Sequence, residues 1–155
     1  MTGEIVRMAA MGLLTSVVAP AIVLLGAGRV PWHRVPAPPL VVLPAFVVLH
    51  GAITVAHVGH HLPPSGDGAL YAVLLAGAVV FWLPVIGPGH HTPDPVRSVY
   101  LFLAGPSLDL AAVYAIIAGH SAGGIAMIVA MLPVGLAAIG VTWRWITREE
   151  HAWSA

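Results

Sequence analysis

Five apolar stretches, each long enough to cross a lipid bilayer, make up most of this chain and leave little room for any other fold. A transmembrane helix needs about 20 mostly apolar residues, because each residue rises 1.5 Å and the hydrocarbon core is roughly 30 Å thick. The stretches fall at about 5–28, 40–60, 69–86, 96–118 and 125–146. Between them stand RVPWHRVPAPP, HHLPPSGDG, GPGHHTPDP and GHSAGG, whose prolines and glycines end helices. Only 8% of the 155 residues are charged against 59% apolar, and the mean hydropathy is +0.94, which excludes a water-soluble domain of this size. The expectation is an all-α integral membrane protein, one domain over 1–155, built as a bundle of about five transmembrane helices in contact with lipid. Pro106 predicts a kink near Gly105–Pro106 in the fourth helix. The N-terminal run carries Glu4 and Arg7 at its start and continues to about Gly28, so it reads as a retained helix rather than a signal peptide.

Charge sets the expected orientation and closes several function classes. Six arginines balance six acids, so nothing points to nucleic acid. Five spans put the two termini on opposite sides. Arg29, Arg34, Arg97, Arg144 and Arg148 then share one side and Arg7 stands alone on the other, which places the C-terminus in the cytoplasm and the N-terminus outside. Trp32, Trp82, Trp143 and Trp145 fall near the cytoplasmic interface, where belt residues are expected. There is no Cys, hence no disulfide, thiolate site or redox pair. Nucleophile elbow, phosphate loop, paired carboxylates and HExxH are all missing, so the chain reads as a non-enzyme. The Ser beside His in GHSAGG lacks the third group of a triad and reads as a tight turn.

Histidine and methionine remain as soft ligands. His50, His57 and His61 are seven and four residues apart, which puts them within about 40° on one helical stripe, flanked by His60. An imidazole in hydrocarbon faces a partner helix or a wet cavity. The stripe suits metal or proton handling, since residues four apart can share one ion. The plainer alternative makes His60 and His61 interfacial caps and lets His50 bond a neighbouring carbonyl. Met8 and Met11 share a face of the first helix, and Met127 and Met131 share a face of the fifth. Thioether with imidazole suits Cu(I), although methionine is also an ordinary filler of apolar helices. All four lie at the same end as His57, His60, His61 and His120. Asp109 sits near the middle of the fourth helix. An acid at that depth costs about 2.5–3.5 kcal/mol on insertion scales, so a partner is expected: His50, Ser107 or an arginine near a helix end. It reads equally as a proton relay or orienting acceptor and as a tie between helices. His90 and His91 with Asp94 form a candidate second metal loop, or simply a polar loop. His33 and His151 read as solvated.

Three segments carry a likeness to a known family: TSVVAPAIVLLGAG with Pro20 and Gly26, VVFWLPVIGPG with Phe81, Trp82 and Pro84, and the closing AGGIAMIVAMLPVGLAAIGVTWRWITREE with Gly123, Gly124, Met127, Trp145, Glu149 and Glu150. Together they cover about half the chain, and they resemble the CtaG family of caa3-type cytochrome c oxidase assembly factors. The resemblance implies a protein of the plasma (inner) membrane that supplies copper to a haem–copper oxidase and meets that oxidase's subunits. The departures are a chain with room for five helices rather than about seven, and RMAAM where the family opens with an HMxxH-like pair. Three functions follow. The first is a copper-handling assembly factor using His50, His57 and His61 with Met127 and Met131, and Met8 with Met11 as its uptake point. The second is a non-catalytic accessory subunit of a respiratory oxidase complex. The third is a small metal or proton transporter, or a b-haem protein, built on His50 and Asp109.

Overall fold

A computed structural model describes residues 2–59 and 64–153. Five helices in it are long and apolar enough to cross a membrane: α1 (Thr2–Leu25), α2 (Pro39–Gly59), α3 (Pro64–Ile86), α4 (Asp94–Ile117) and α5 (Ser121–Trp153). No strand occurs among the described residues. The protein is a multi-pass helical membrane protein. Its outer surface is apolar, with Leu40 90% and Ile117 80% exposed, as suits contact with lipid.

Helix ends differ from the hydropathy expectation where proline and polar residues intervene. Pro64 opens α3 five residues early, because a first-turn proline lacks only an N–H that would have no intrahelical partner. At the other extreme α5 runs 33 residues, about 50 Å at 1.5 Å each, well past the bilayer. Its TREEH end stays helical, with the Thr147 hydroxyl donating to the Trp143 carbonyl one turn back and the Trp145 indole N–H donating to Glu149 one turn ahead. α4 stays helical through Gly105–Pro106.

Every span contains a proline: Pro20, Pro44, Pro84, Pro106 and Pro133. In α1 the consequence is specific. Pro20 cannot donate to the fourth preceding carbonyl, and residues Leu14–Val18 just before it adopt a π-helical turn. One carbonyl of this turn, that of Thr15, is satisfied from a neighbouring helix, and the turn's Ser16 side chain ties it to another. The Trp82 indole N–H donates to the Thr15 carbonyl at 2.7 Å, and the Ser16 hydroxyl donates to the carbonyl of Ala130. Trp82 is therefore a core residue, 3% exposed, and not part of the aromatic belt expected for it. Trp143, by contrast, is exposed on α5.

The main packing pairs are α1 with α3, α3 with α2, α2 with α4, α4 with α5, and α5 with α1. These close a ring of five helices around one interior. Small residues let the ring close tightly. A Cβ on Gly12 would lie 2.6 Å from the Ala130 Cβ, and one on Gly124 would lie 2.7 Å from the Ala112 carbonyl. Aromatic rings fill the half nearer the α1–α2 connector: Phe81 contacts Phe46, Trp82 and Tyr100, with centroids 4.9–5.6 Å apart. The Tyr100 hydroxyl donates to the Phe81 carbonyl at 2.7 Å. The other half, toward the N-terminus, holds the sulfurs and the polar mouth.

Candidate metal-binding mouth

At the N-terminal end of the ring, α1, α2 and the α4–α5 turn surround a cavity of about 100 Å³. Its lining includes Glu4, Arg7, Met8, Met11, His57 and His120. Each arrives there for a local reason. Met8 and Met11 lie one turn apart on the inward stripe of α1 and are 3% and 0% exposed. His57 lies on the α2 stripe with its side chain 4% exposed. His120 is placed by the turn that ends α4. Gly119 adopts φ +94°, its N–H bonds the Ile116 carbonyl, and the His120 N–H bonds the Ala115 carbonyl. That is a Schellman motif, and only glycine takes its left-handed position without strain. The His120 carbonyl then accepts from Gly124 and opens α5.

The two imidazoles share one feature. His57 Nδ1 is 2.9 Å from the Ile53 carbonyl oxygen, which can only accept, so Nδ1 carries the proton. In the neutral ring Nε2 then holds a lone pair, and this buried atom makes no hydrogen bond. It stands 3.5 Å from Asp67 Oδ1, an ion-pair distance for a protonated ring and a repulsive one for a lone pair. His120 Nδ1 is 2.7 Å from Glu4 Oε1. Donation from Nδ1 to that carboxylate again leaves the lone pair on Nε2 of the neutral ring. Metal-binding histidines characteristically anchor their second nitrogen on a backbone carbonyl or a carboxylate, which fixes tautomer and ring orientation. Both rings meet that condition. Asp67 also lies 3.9 Å from Arg7, so the rim carries two carboxylates, Glu4 and Asp67, against one guanidinium, a balance that favours a cation.

The expected ligand set is thus divided. Met8 and Met11, expected as an uptake point, line the mouth beside His57. Met127 and Met131 face the interior but not this cavity. Met127, fully buried, packs with Met8 and the alanines of α4, whereas Met131 belongs to the main core and borders a cleft beside Asp109. His50 lies seven residues from His57, two turns and about 10 Å deeper, fully buried with neither ring nitrogen bonded. His60 and His61 lie outside the described residues. His120 was placed at this end by the sequence without a ligand role, and Glu4 appeared only as a charge near the N-terminus. The signal for His120 was the preceding Gly119, a helix-stop glycine that carries the next residue to the rim.

Elsewhere the candidates take other roles. His90 Nε2 donates to the Val35 carbonyl at 3.0 Å and ties two connectors together. Asp94 is engaged by Arg97 and Arg148 at 3.6 and 2.6 Å, and His91 is exposed. No cluster of three His, Asp or Glu side chains suited to a metal occurs among the described residues. Asp109 has neither a hydrogen bond nor an ion pair to any described residue, and its Oδ1 is buried. None of its expected partners reaches it. Comparison with protein-family models, curated proteins and solved structures finds no match to this chain.

Proposed function

We propose that this protein is a copper-handling factor of the plasma membrane, which takes up Cu(I) at its extracytoplasmic mouth during assembly of a haem–copper cytochrome oxidase. One observation carries the reading: two imidazoles with their second nitrogens anchored, and two thioethers, line the same small cavity from three segments of the chain. This donor set is soft and free of thiolate, which matches Cu(I) and mismatches hard divalent cations. The orientation follows from five arginines at the opposite end of the ring against Arg7 at the mouth. Copper is cargo here. The mouth residues bind and orient it, and the rim carboxylates attract it. The deeper Met127, Met131 and His50 offer soft donors further along the interior. The oxidase as destination comes from the resemblance of the first, third and fifth helices to the CtaG family.

The test is a competition titration of the purified full chain in detergent, under reducing conditions, against a chromophoric Cu(I) chelator. One Cu(I) per chain is expected. His57→Ala, and Met8→Leu combined with Met11→Leu, should each weaken binding at least about tenfold, since even indirect support of a metal ligand is worth that much. Binding unchanged in both variants rejects the mouth. A non-catalytic accessory subunit is the second reading, favoured by Gly135 and Gly140 on the open face of α5, where an added Cβ meets nothing within 4 Å. On that reading the purified chain takes up no copper.

A further inference from the structure

Asp109 marks a second site, independent of the copper reading. It borders a cleft of about 230 Å³ between α4 and α5, together with Gly105, Pro106, Leu132 and Gly135. The cleft opens outward: Leu132 is 58% exposed, and Gly135 and Pro106 are also on the exposed face. Gly105 and Gly135 have no atom within 4 Å of an added Cβ, so another backbone can approach closely there. An acidic side chain thus sits at mid-membrane depth on a lipid-facing surface, with one oxygen buried and unbonded. Such a group in a transmembrane segment faces a partner. None of the described residues supplies one.

We infer that the Asp109 cleft is the docking surface for a transmembrane helix of a different protein, carrying a basic side chain at mid-span. Charge complementarity selects this occupant. A second copy of the chain cannot supply the cation, because it has no lysine and its arginines lie near helix ends or in connectors. Its mid-depth imidazole, His50, is enclosed by the ring. Two copies meeting at this face would oppose one carboxyl to another.

Photo-cross-linking of the full chain in its host membrane tests this, with benzoylphenylalanine replacing Leu132. The expected product is an adduct with a transmembrane segment of another protein, mapped by mass spectrometry to a stretch with Arg, Lys or His at mid-span. Asp109→Leu should lower its yield about tenfold, within the range of interhelical polar contacts in membranes. Asp109→Asn keeps the side-chain shape and removes the charge, so it should also lower the yield and guards against misfolding of the leucine variant. A self-adduct, an adduct with lipid alone, a partner segment without a basic mid-span residue, or undiminished yield in Asp109→Asn overturns the inference.

Discussion

The α1–α5 seam is the contact on which the mouth depends, and Gly12→Ala tests it. The added Cβ would lie 2.6 Å from the Ala130 Cβ and 3.0 Å from the Met127 carbonyl oxygen. Ordinary carbon–carbon contact is about 3.8 Å, so α1 must retreat by about 1.2 Å at this point. Overpacking of this kind costs about 1–3 kcal/mol, because a close-packed interior relaxes only in part. Gly12 lies one residue from Met11 and four from Met8, and Met127 packs against Met8, so the same retreat widens the cavity. Ala130→Gly removes the nearer clash. The double variant should recover most of the lost stability, leaving only the contact with the Met127 carbonyl, and the cycle should report a coupling of about 1 kcal/mol or more. Reversible unfolding in mixed micelles measures all four corners, with Cu(I) affinity read on the same samples. A neutral Gly12→Ala, or an Ala130→Gly that fails to rescue it, refutes the closeness of this seam.

Three further outcomes follow. Trp82→Phe keeps an aromatic ring but leaves the Thr15 carbonyl without its 2.7 Å donor, and should lower unfolding stability by about 1–3 kcal/mol in the same assay. Glu4→Gln removes the carboxylate that accepts from His120 Nδ1 and should weaken Cu(I) binding by about 10–100-fold without loss of helix content by circular dichroism. Reporter fusions should place the C-terminus in the cytoplasm and residue 120 outside, and the reverse assignment contradicts the arginine count.

The number of spans was legible because hydropathy over about 20 residues is a bulk property that few local details disturb. The seven-residue spacing of His50 and His57 was legible too, and both side chains turn inward as that stripe requires. The order of helices around the ring was not. Spans that are apolar on every side carry almost no directional pattern, and close approach is decided by glycines such as Gly12 whose neighbours are unknown in advance. Trp82 shows the same limit. Its distance from the helix end suits a belt residue, and only the π-turn at Leu14–Val18 creates the carbonyl that draws its indole inward. The division of methionines between mouth and core depends on a rotation of α1 against α5 that no single-helix pattern encodes. Asp109 was expected to find a partner within the chain. Its position in the outward-opening cleft between α4 and α5 leaves it without one among the described residues.

Copper K-edge X-ray absorption of the Cu(I)-loaded full chain addresses the mouth most directly, since sulfur and nitrogen scatterers are told apart in the first coordination shell. The spectrum should contain both, and Met8→Leu with Met11→Leu should remove the sulfur while the imidazole nitrogen stays. A first shell of nitrogen and oxygen alone, or a sulfur signal that survives the double substitution, would contradict the assignment.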